Sequence, residues 1–557
     1  IGQIFVNLSV QPPIQFTSMN KNTLAVWIIL VCYICIAGYQ LHLPGLHYDE
    51  AQESGLPALQ IASGKEVSPF RNIGFGNNRF PIMVQDYIGA IHVYITVPFV
   101  AILGPSTVSV RIPSILIGVT ILLLMFSFIR TVWGTRIALL ATVLLAMHPS
   151  FVFWSRQGTL IASVTLALMI ALFWACRNWY IRGTWQTAIV VGLLAGLGTY
   201  SKILFVWILL GIVSTTIIIN LPNLMFGHKK VWPRQPNYID IIAAIAGFAI
   251  GISPIVVFNS MSKGASFVRT GNIATSNSNL LENVLGRIDH FVAVLTGNSH
   301  FWYLGSSPGN RLWLWALVIS LIVSITSTVW HQTRSQKNFV LLLLLLTSLL
   351  QVPFTPTPSG LFPHHLAIFT PLWTTLVAVS ITNIPRLLRQ IYPLSKKYHF
   401  TMLIVIAWAF TTLITKDLLT NIKMHTTLGK VGGESPHTDA IYTLANHLDS
   451  MSPQNTVALD WGFAPQVQFL TNERIKPQEV FGFTEKTDTG FVERLDHFYP
   501  DSDTVYVLHT EDKSFINRRT DFALYTSSRG LHLKNIGTIS QSSGTPIFEI
   551  FVAYKEK

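Results

Sequence analysis

Charge is scarce in this chain, and acidic charge scarcest. Only 11% of its 557 residues are Asp, Glu, Lys or Arg, against about a quarter in soluble domains. With 50% hydrophobic residues and a mean hydropathy of +0.46, this excludes a disordered chain, a collagen-like chain and an ordinary cytosolic enzyme. Cysteine is nearly absent. Cys32, Cys35 and Cys176 lie in apolar runs, without zinc spacing or a disulfide framework, so packing is their expected role. Internal repeats, low-complexity tracts and glycine-rich phosphate loops are also lacking. What is present is the pattern of a multi-pass membrane protein.

The charges are unevenly placed. Residues 420–557 carry 17 acids and 13 Lys or Arg, leaving 9 acids and 25 bases for residues 1–419. A basic membrane part is thus joined to a mildly acidic soluble tail. Three of those nine acids, Asp49, Glu50 and Glu53, fall within five positions. The bases sit in short loops between apolar segments, which is the membrane-orientation pattern, and no nucleic-acid partner is expected.

A crossing needs roughly 20 apolar residues. About eleven stretches qualify: 24–43, 110–130, 136–152, 158–176, 185–201, 203–221, 238–258, 311–330, 338–354, 363–382 and 400–419. The run at 82–104 is ambiguous, because Gln85, Asp86 and His92 interrupt it. Loops with Arg130/Arg136, Arg177/Arg182, Lys229/Lys230/Arg234, Arg334/Lys337 and Arg386/Arg389/Lys396/Lys397 are cytoplasmic by the positive-inside rule. With Lys21 also inside, these assignments agree only if 82–104 lies in the outer interface without crossing. The outward parts are then the 44–109 loop, turns near 150–158 and Lys202, the 259–310 and 354–364 loops, and everything after 419.

Residues 1–23 read as an N-terminal extension ahead of a retained first span, and 24–419 as the membrane domain. Residues 420–437, with Gly429, Gly432, Gly433 and Pro436, read as a linker. Residues 438–557 read as a small extracytoplasmic α/β domain. Its expected elements are a helix over Asp439–Leu448 capped by Thr438, and strands at Thr456–Leu459, Asp503–Leu508 and Ile547–Ala553.

The acid cluster opens the first outer loop, in His47-Tyr48-Asp49-Glu50-Ala51. An acid at the membrane face is desolvated, which raises its pKa and suits a general base near neutral pH. A solvated loop, or an Asp49 side chain capping the following helix-like run, remains the alternative.

The same segment belongs to a longer pattern. Ser109-Val110-Arg111-Ile112-Pro113-Ser114 leads a span ending at Arg130. Trp133-Gly134-Thr135-Arg136 leads another, ending in Met147-His148-Pro149-Ser150 and followed by Phe153-Trp154-Ser155-Arg156. This order resembles the GT-C glycosyltransferases of the protein O-mannosyltransferase and lipid A aminoarabinose transferase superfamily. The resemblance covers 24 to about 205 well and is weaker to about 382, where His364-His365-Leu366 and Pro371 look like the family's late lumenal motif. The tail shows no specific match.

The resemblance implies an α-helical GT-C fold and a reaction. A sugar on a polyprenyl-phosphate carrier is transferred to a protein, lipid or glycan acceptor outside the cytoplasm, with inversion. Asp49 matches the first acid of the family's pair and would be the base, with Glu50 orienting the acceptor or assisting. Lys202, Arg156, Arg79, His364 and His365 would contact the carrier phosphate, though Lys202 alone also suits interfacial snorkelling. His47, Tyr48, Trp302 and Tyr303 would contact substrate, or the aromatics would anchor the 259–310 loop. Arg156 is followed by Gln157-Gly158-Thr159 without the acid that relatives often carry there. No tightly bound metal or cofactor is expected, while Asp49 and Glu50 leave room for a weakly held divalent cation. Two other readings stay open: a glycan ligase or polymerase using a pyrophosphate-linked oligosaccharide, and a lipid-linked transporter or flippase.

Overall fold

Helices in this chain cannot be drawn together by a hydrophobic force if lipid surrounds them, so close approach has to hold them. The helices Trp185–Ser201 and Tyr238–Met261 show how. Gly192 and Gly196 of one face Gly247 and Gly251 of the other, and a Cβ on any of the four would strike the partner's backbone. Each pair has the Gly-x-x-x-Gly spacing that lets two helix backbones touch. Elsewhere large side chains fill the interior, with Trp154, Trp313 and Trp373 fully buried.

The structure is a computed structural model and describes residues 21–67, 73–158, 162–226, 237–267, 280–299, 304, 309–330, 336–353, 355, 362–391, 396–434, 437–482, 490–498 and 503–555. Trp302 and Tyr303 lie outside the described residues, as does most of the expected N-terminal extension.

Among the described residues seven helices are long and apolar enough to cross a membrane, or eight if Thr135–Met147 and Pro149–Ser155, bent by 65°, are one span. The expected spans at 185–201, 311–330 and 338–354 are also helical, as Trp185–Ser201, Leu312–Trp330 and Gln336–Leu349. The ambiguous 82–104 run is not one helix. It forms a hairpin of β3 (Met83–Gln85) and β4 (Ile88–Gly89), then a helix Ile91–Leu103 of 13 residues. At 1.5 Å per residue that helix spans about 20 Å, short of a roughly 30 Å hydrocarbon core. A second hairpin, β1 (Gly74–Phe75) with β2 (Phe80–Pro81), precedes it.

The bundle's two ends are distinguished by their contacts. At one end the expected cytoplasmic loops meet. Arg177 donates to the Thr131 carbonyl at 3.3 Å, Lys337 to Val132 at 3.0 Å, and the Trp133 indole to Asn338 at 2.9 Å. At the other end Asn421 donates to the Met147 carbonyl at 2.8 Å, and His425 Nε2 lies 2.9 Å from the Ile36 carbonyl. The acid cluster belongs to this second end.

Two expectations are corrected. Residues 420–431 are not linker: one helix runs unbroken over Lys396–Val431, because Met424 and Leu428 are buried and His425 ties it to the first helix. It stops where Gly432 and Gly433 take φ of 76° and 108°, the left-handed backbone that ends helices. Cys32 and Cys35 are exposed on the first helix rather than packed inside.

The tail is a five-stranded mixed sheet in the order β6-β5-β7-β9-β8, built from β5 (Asn455–Ala458), β6 (Gln478–Glu479), β7 (Thr504–His509), β8 (His532–Ser540) and β9 (Pro546–Tyr554). The two-residue β6 and the polar edge strand β8 lack the apolar pattern that marked the other three. The helix Ala440–Met451 packs on the sheet, and Thr438 Oγ1 accepts the Ala440 N–H at 3.2 Å.

Candidate active site

The first loop becomes helical at Tyr48–Glu50 because His47 caps it. Its Nδ1 accepts the Asp49 N–H at 3.0 Å, while Glu50 accepts the His47 N–H at 3.0 Å, a reciprocal capping box. The cap considered for Asp49 is therefore made by His47. Asp49's own carboxylate stays one-third exposed, 3.6 Å from His47 Nδ1. The helix runs on through a π turn, Ala51–Gly55, into Leu56–Ala62; π turns are frequent at functional sites.

Glu50 is placed quite differently. Its carboxylate is fully buried and takes two bonds from Arg111, Nε to Oε1 at 2.9 Å and Nη2 to Oε2 at 2.6 Å. The Gly158 N–H donates to it as well. Arg111 spends its other N–H groups on the carbonyls of Leu41, Pro44 and Gly45. One ion pair thus sews the first loop to the helix Thr107–Trp133 and to the loop after Ser155. Burial opposes the charge, yet Arg111 and the two backbone donors hold the Glu50 carboxyl below its usual range. Only glycine fits at 158, where a Cβ would overlap Val110 and stand 3.3 Å from Glu50 Oε1.

Lys202 lies within electrostatic reach of Glu53 and Asp49. The helix Trp185–Ser201 breaks at Lys202, whose extended backbone forms an antiparallel bridge with Ile88. The Ile203 N–H donates to the Tyr87 carbonyl, and the Tyr200 hydroxyl to the Ile82 carbonyl. These bonds lock the side chain inward. It is 0% exposed, its Nζ has no hydrogen-bond partner among the described residues, and it lies 5.4 Å from the Tyr87 ring centre. Burial lowers its pKa to about 7, with Glu53 and Asp49 opposing the shift. The charge of Lys202 also reaches His364 and His365. Those two rings pack at 4.0 Å, and His364 lies 5.5 Å from Trp154.

The other expected residues fall elsewhere. Arg156 is buried beside Arg111 and Glu50, donating to the carbonyls of Tyr39 and Gln40 at 2.8 and 2.7 Å, with Nε and Nη1 left without partners among the described residues. Arg79 is exposed at the turn of the β1–β2 hairpin, outside the buried constellation. His47 and Tyr48 are engaged from the tail side: His47 stacks on His437 at 4.4 Å, and the Tyr48 ring packs at a tilt against Trp461 at 4.7 Å. Among the described residues no three His, Cys, Asp or Glu side chains converge as metal ligands.

Arg111, Gly158 and Tyr87 had no assigned role from sequence. Arg111 carried a usable signal, since an arginine near the start of an apolar helix stays there only if paired.

Comparisons with known proteins bear on the fold. Residues 90–249 match the family model described as dolichyl-phosphate-mannose-protein mannosyltransferase. No curated protein matches. The crystal structure of ArnT from Cupriavidus metallidurans bound to undecaprenyl phosphate is similar over 95% of this chain and 97% of that one, with a TM-score of 0.57 at 15% identity. The chain has the GT-C fold. The apo structure of the same ArnT gives a TM-score of 0.56 at 15% identity, again over 95% of this chain and 97% of that one. In GT-C terms, the capped first-loop turn, the Glu50–Arg111 pair and Lys202 all gather at the end of the bundle where the tail domain sits.

Proposed function

We propose that this chain is a membrane glycosyltransferase. It moves a sugar from a polyprenyl-phosphate carrier to a protein, lipid or glycan acceptor on the extracytoplasmic face, with inversion. The observation that carries this reading is Lys202, a fully buried amine without a hydrogen-bond partner among the described residues, within electrostatic reach of Asp49, Glu53, His364 and His365. A buried ammonium in that state suits an anion. The ArnT relative was captured with undecaprenyl phosphate, an anion of this kind.

Each step has a residue. Asp49, partly exposed and in no ion pair with a lysine or arginine among the described residues, takes the proton from the acceptor hydroxyl or amine. The acceptor atom bonds to the anomeric carbon as the bond from that carbon to the phosphate oxygen breaks. The phosphate leaves with the electron pair, and Lys202 stabilises the charge that develops on it. His364 and His365 line the same space as phosphate contacts. Glu50 does not touch the reacting atoms in this scheme. It holds Asp49 in place through Arg111 and Gly158. Arg156 fixes the outer end of the first helix through its bonds to Tyr39 and Gln40.

A coupled carrier gains no support. The buried Asp417 accepts bonds from Asn310 at 2.8 Å and the Trp313 indole at 3.0 Å, so it pins two helices together. The test is Asp49→Asn in membranes with a radiolabelled polyprenyl-phosphate sugar pool. Transfer should fall by about 10²–10⁴, the usual contribution of a general base; undiminished transfer rejects the assignment.

A further inference from the structure

Glu53 follows Asp49 by four positions, and no step of the proposed transfer uses it. It sits in the π turn Ala51–Gly55 and is 3% exposed. Acids are seldom buried unless something holds them. Here the Gln85 side-chain N–H donates to Glu53 Oε1, and His92 Nε2 lies 2.9 Å from the Glu53 backbone carbonyl.

Gln85 belongs to β3, and its register partner in β4 is Ile88. Ile88 in turn bridges the backbone of Lys202. Between the two strands stands Tyr87, whose ring centre is 5.4 Å from the Lys202 amine, within cation–π range. The hairpin is therefore a yoke: one strand holds Glu53, the other holds Lys202. Lys202 Nζ makes no hydrogen bond among the described residues, so Glu53 acts on it through space. Burial works against the Lys202 charge, and Glu53 offsets that burial more than Asp49 does. His364 and His365 are the other titratable groups within reach of the amine.

A carboxylate fixed beside a phosphate-binding cation repels the phosphate. That repulsion has a use once the carrier is compared before and after transfer. The loaded carrier is a phosphodiester with one negative charge. When the bond from the anomeric carbon breaks and its electron pair stays on the phosphate oxygen, the carrier becomes a monoester. With a second pKa of about 6, the monoester approaches two negative charges near neutral pH. An ammonium alone attracts this spent carrier more strongly than the loaded one and would retain its product. A neighbouring carboxylate repels two charges about twice as strongly as one. We propose that Glu53, held beside Lys202 by the β3–β4 hairpin, is a specificity-determining residue that favours the loaded phosphodiester over the spent phosphomonoester. The inference rests on the polyprenyl-phosphate reading of the site.

The experiment uses the full chain in lipid nanodiscs and isothermal titration at pH 6.5. The probes are polyprenyl phosphate and its methyl ester, a diester with no sugar to transfer. The wild type should bind the methyl ester at least as tightly as the phosphate. Glu53→Gln, which can still accept from Gln85, should raise the ratio of phosphate to ester affinity at least threefold. Glu53→Asp, which keeps the charge, should leave that ratio within twofold of wild type. Because the ratio compares two lipids on one sample, a partly folded variant still reports it, and the wild-type comparison needs no variant. A wild type that binds the phosphate more tightly, or a ratio that rises less than threefold in Glu53→Gln, overturns the inference and leaves the carrier reading standing. Binding of neither lipid overturns both.

Discussion

Glu50 and Arg111 form a fully buried ion pair joined by two hydrogen bonds, while Asp49, one residue earlier, stays outside it. Adjacent acids in one motif therefore have opposite environments. Their substitutions should separate stability from chemistry. Breaking a buried pair by removing one partner costs roughly 3–5 kcal/mol. Glu50→Gln should lower the melting temperature and the yield of folded protein. Asp49→Asn, at a partly exposed site, should change stability by no more than about 0.5 kcal/mol and lower transfer by about 10²–10⁴. Thermal melting alongside the radiolabel assay checks both.

Lys202 predicts a pH dependence. Its pKa is lowered to about 7, so it is charged below that pH and loses its charge as pH rises through it. Affinity for polyprenyl phosphate should therefore decline from pH 6 toward pH 8.5, with proton uptake on binding at the upper end. Lys202→Met should weaken binding by roughly 2–5 kcal/mol and flatten the profile. Isothermal titration in two buffers of different ionisation enthalpy measures both effects.

The glycine seam predicts a remote effect. A Cβ at position 196 would stand 2.5 Å from the Phe248 carbonyl oxygen and 2.8 Å from the Ile252 nitrogen. Gly196→Val should push apart the helices Trp185–Ser201 and Tyr238–Met261. Lys202 follows directly on the first of these. The expected result is weaker carrier binding with Asp49 chemistry untouched, read as a raised KM for the carrier sugar at near-normal kcat.

Glu479 predicts how the tail grips the first loop. Burial raises its pKa to about 7, with the Tyr48 hydroxyl opposing the shift. A carboxyl with a raised folded pKa is fully tolerated below its unfolded pKa near 4.5. Its docking weakens as pH climbs from about 4.5 to about 7, where the buried carboxylate comes to carry charge, and levels off above. Hydrogen exchange at residues 47–55, corrected for intrinsic rate, should rise over that window and then plateau. In Glu479→Gln it should stay level.

Much of this was legible in the sequence because membrane proteins write their constraints plainly. Bases at Arg130, Arg177 and Lys337 marked one end of the bundle, and the structure gathers them there. The 82–104 run was demoted by charge parity, and the structure breaks it into a hairpin and a helix of 13 residues. The Asp49–Glu50 cluster was conspicuous for want of other acids. What stayed hidden depended on long-range pairing. Nothing local tells that Glu50 meets Arg111 61 positions away, or that Tyr48 meets Glu479 431 positions away. The helical run over 420–431 was missed because its apolar residues alternate with Lys423, His425 and Thr426, and only the partner helix shows which face is buried.

The helix Lys396–Val431 has 36 residues, about 54 Å at 1.5 Å per residue, where a bilayer core takes roughly 30 Å. The helix runs without a joint from the membrane bundle, where Asn421 and His425 bond to the ends of its neighbours, to the edge of the tail domain. The tail is thus joined to the membrane helices by a rod and not by a hinge. Adding or removing one helical turn in that rod, about 5.4 Å, would shift the tail domain against the first loop that it grips through Tyr48 and His47.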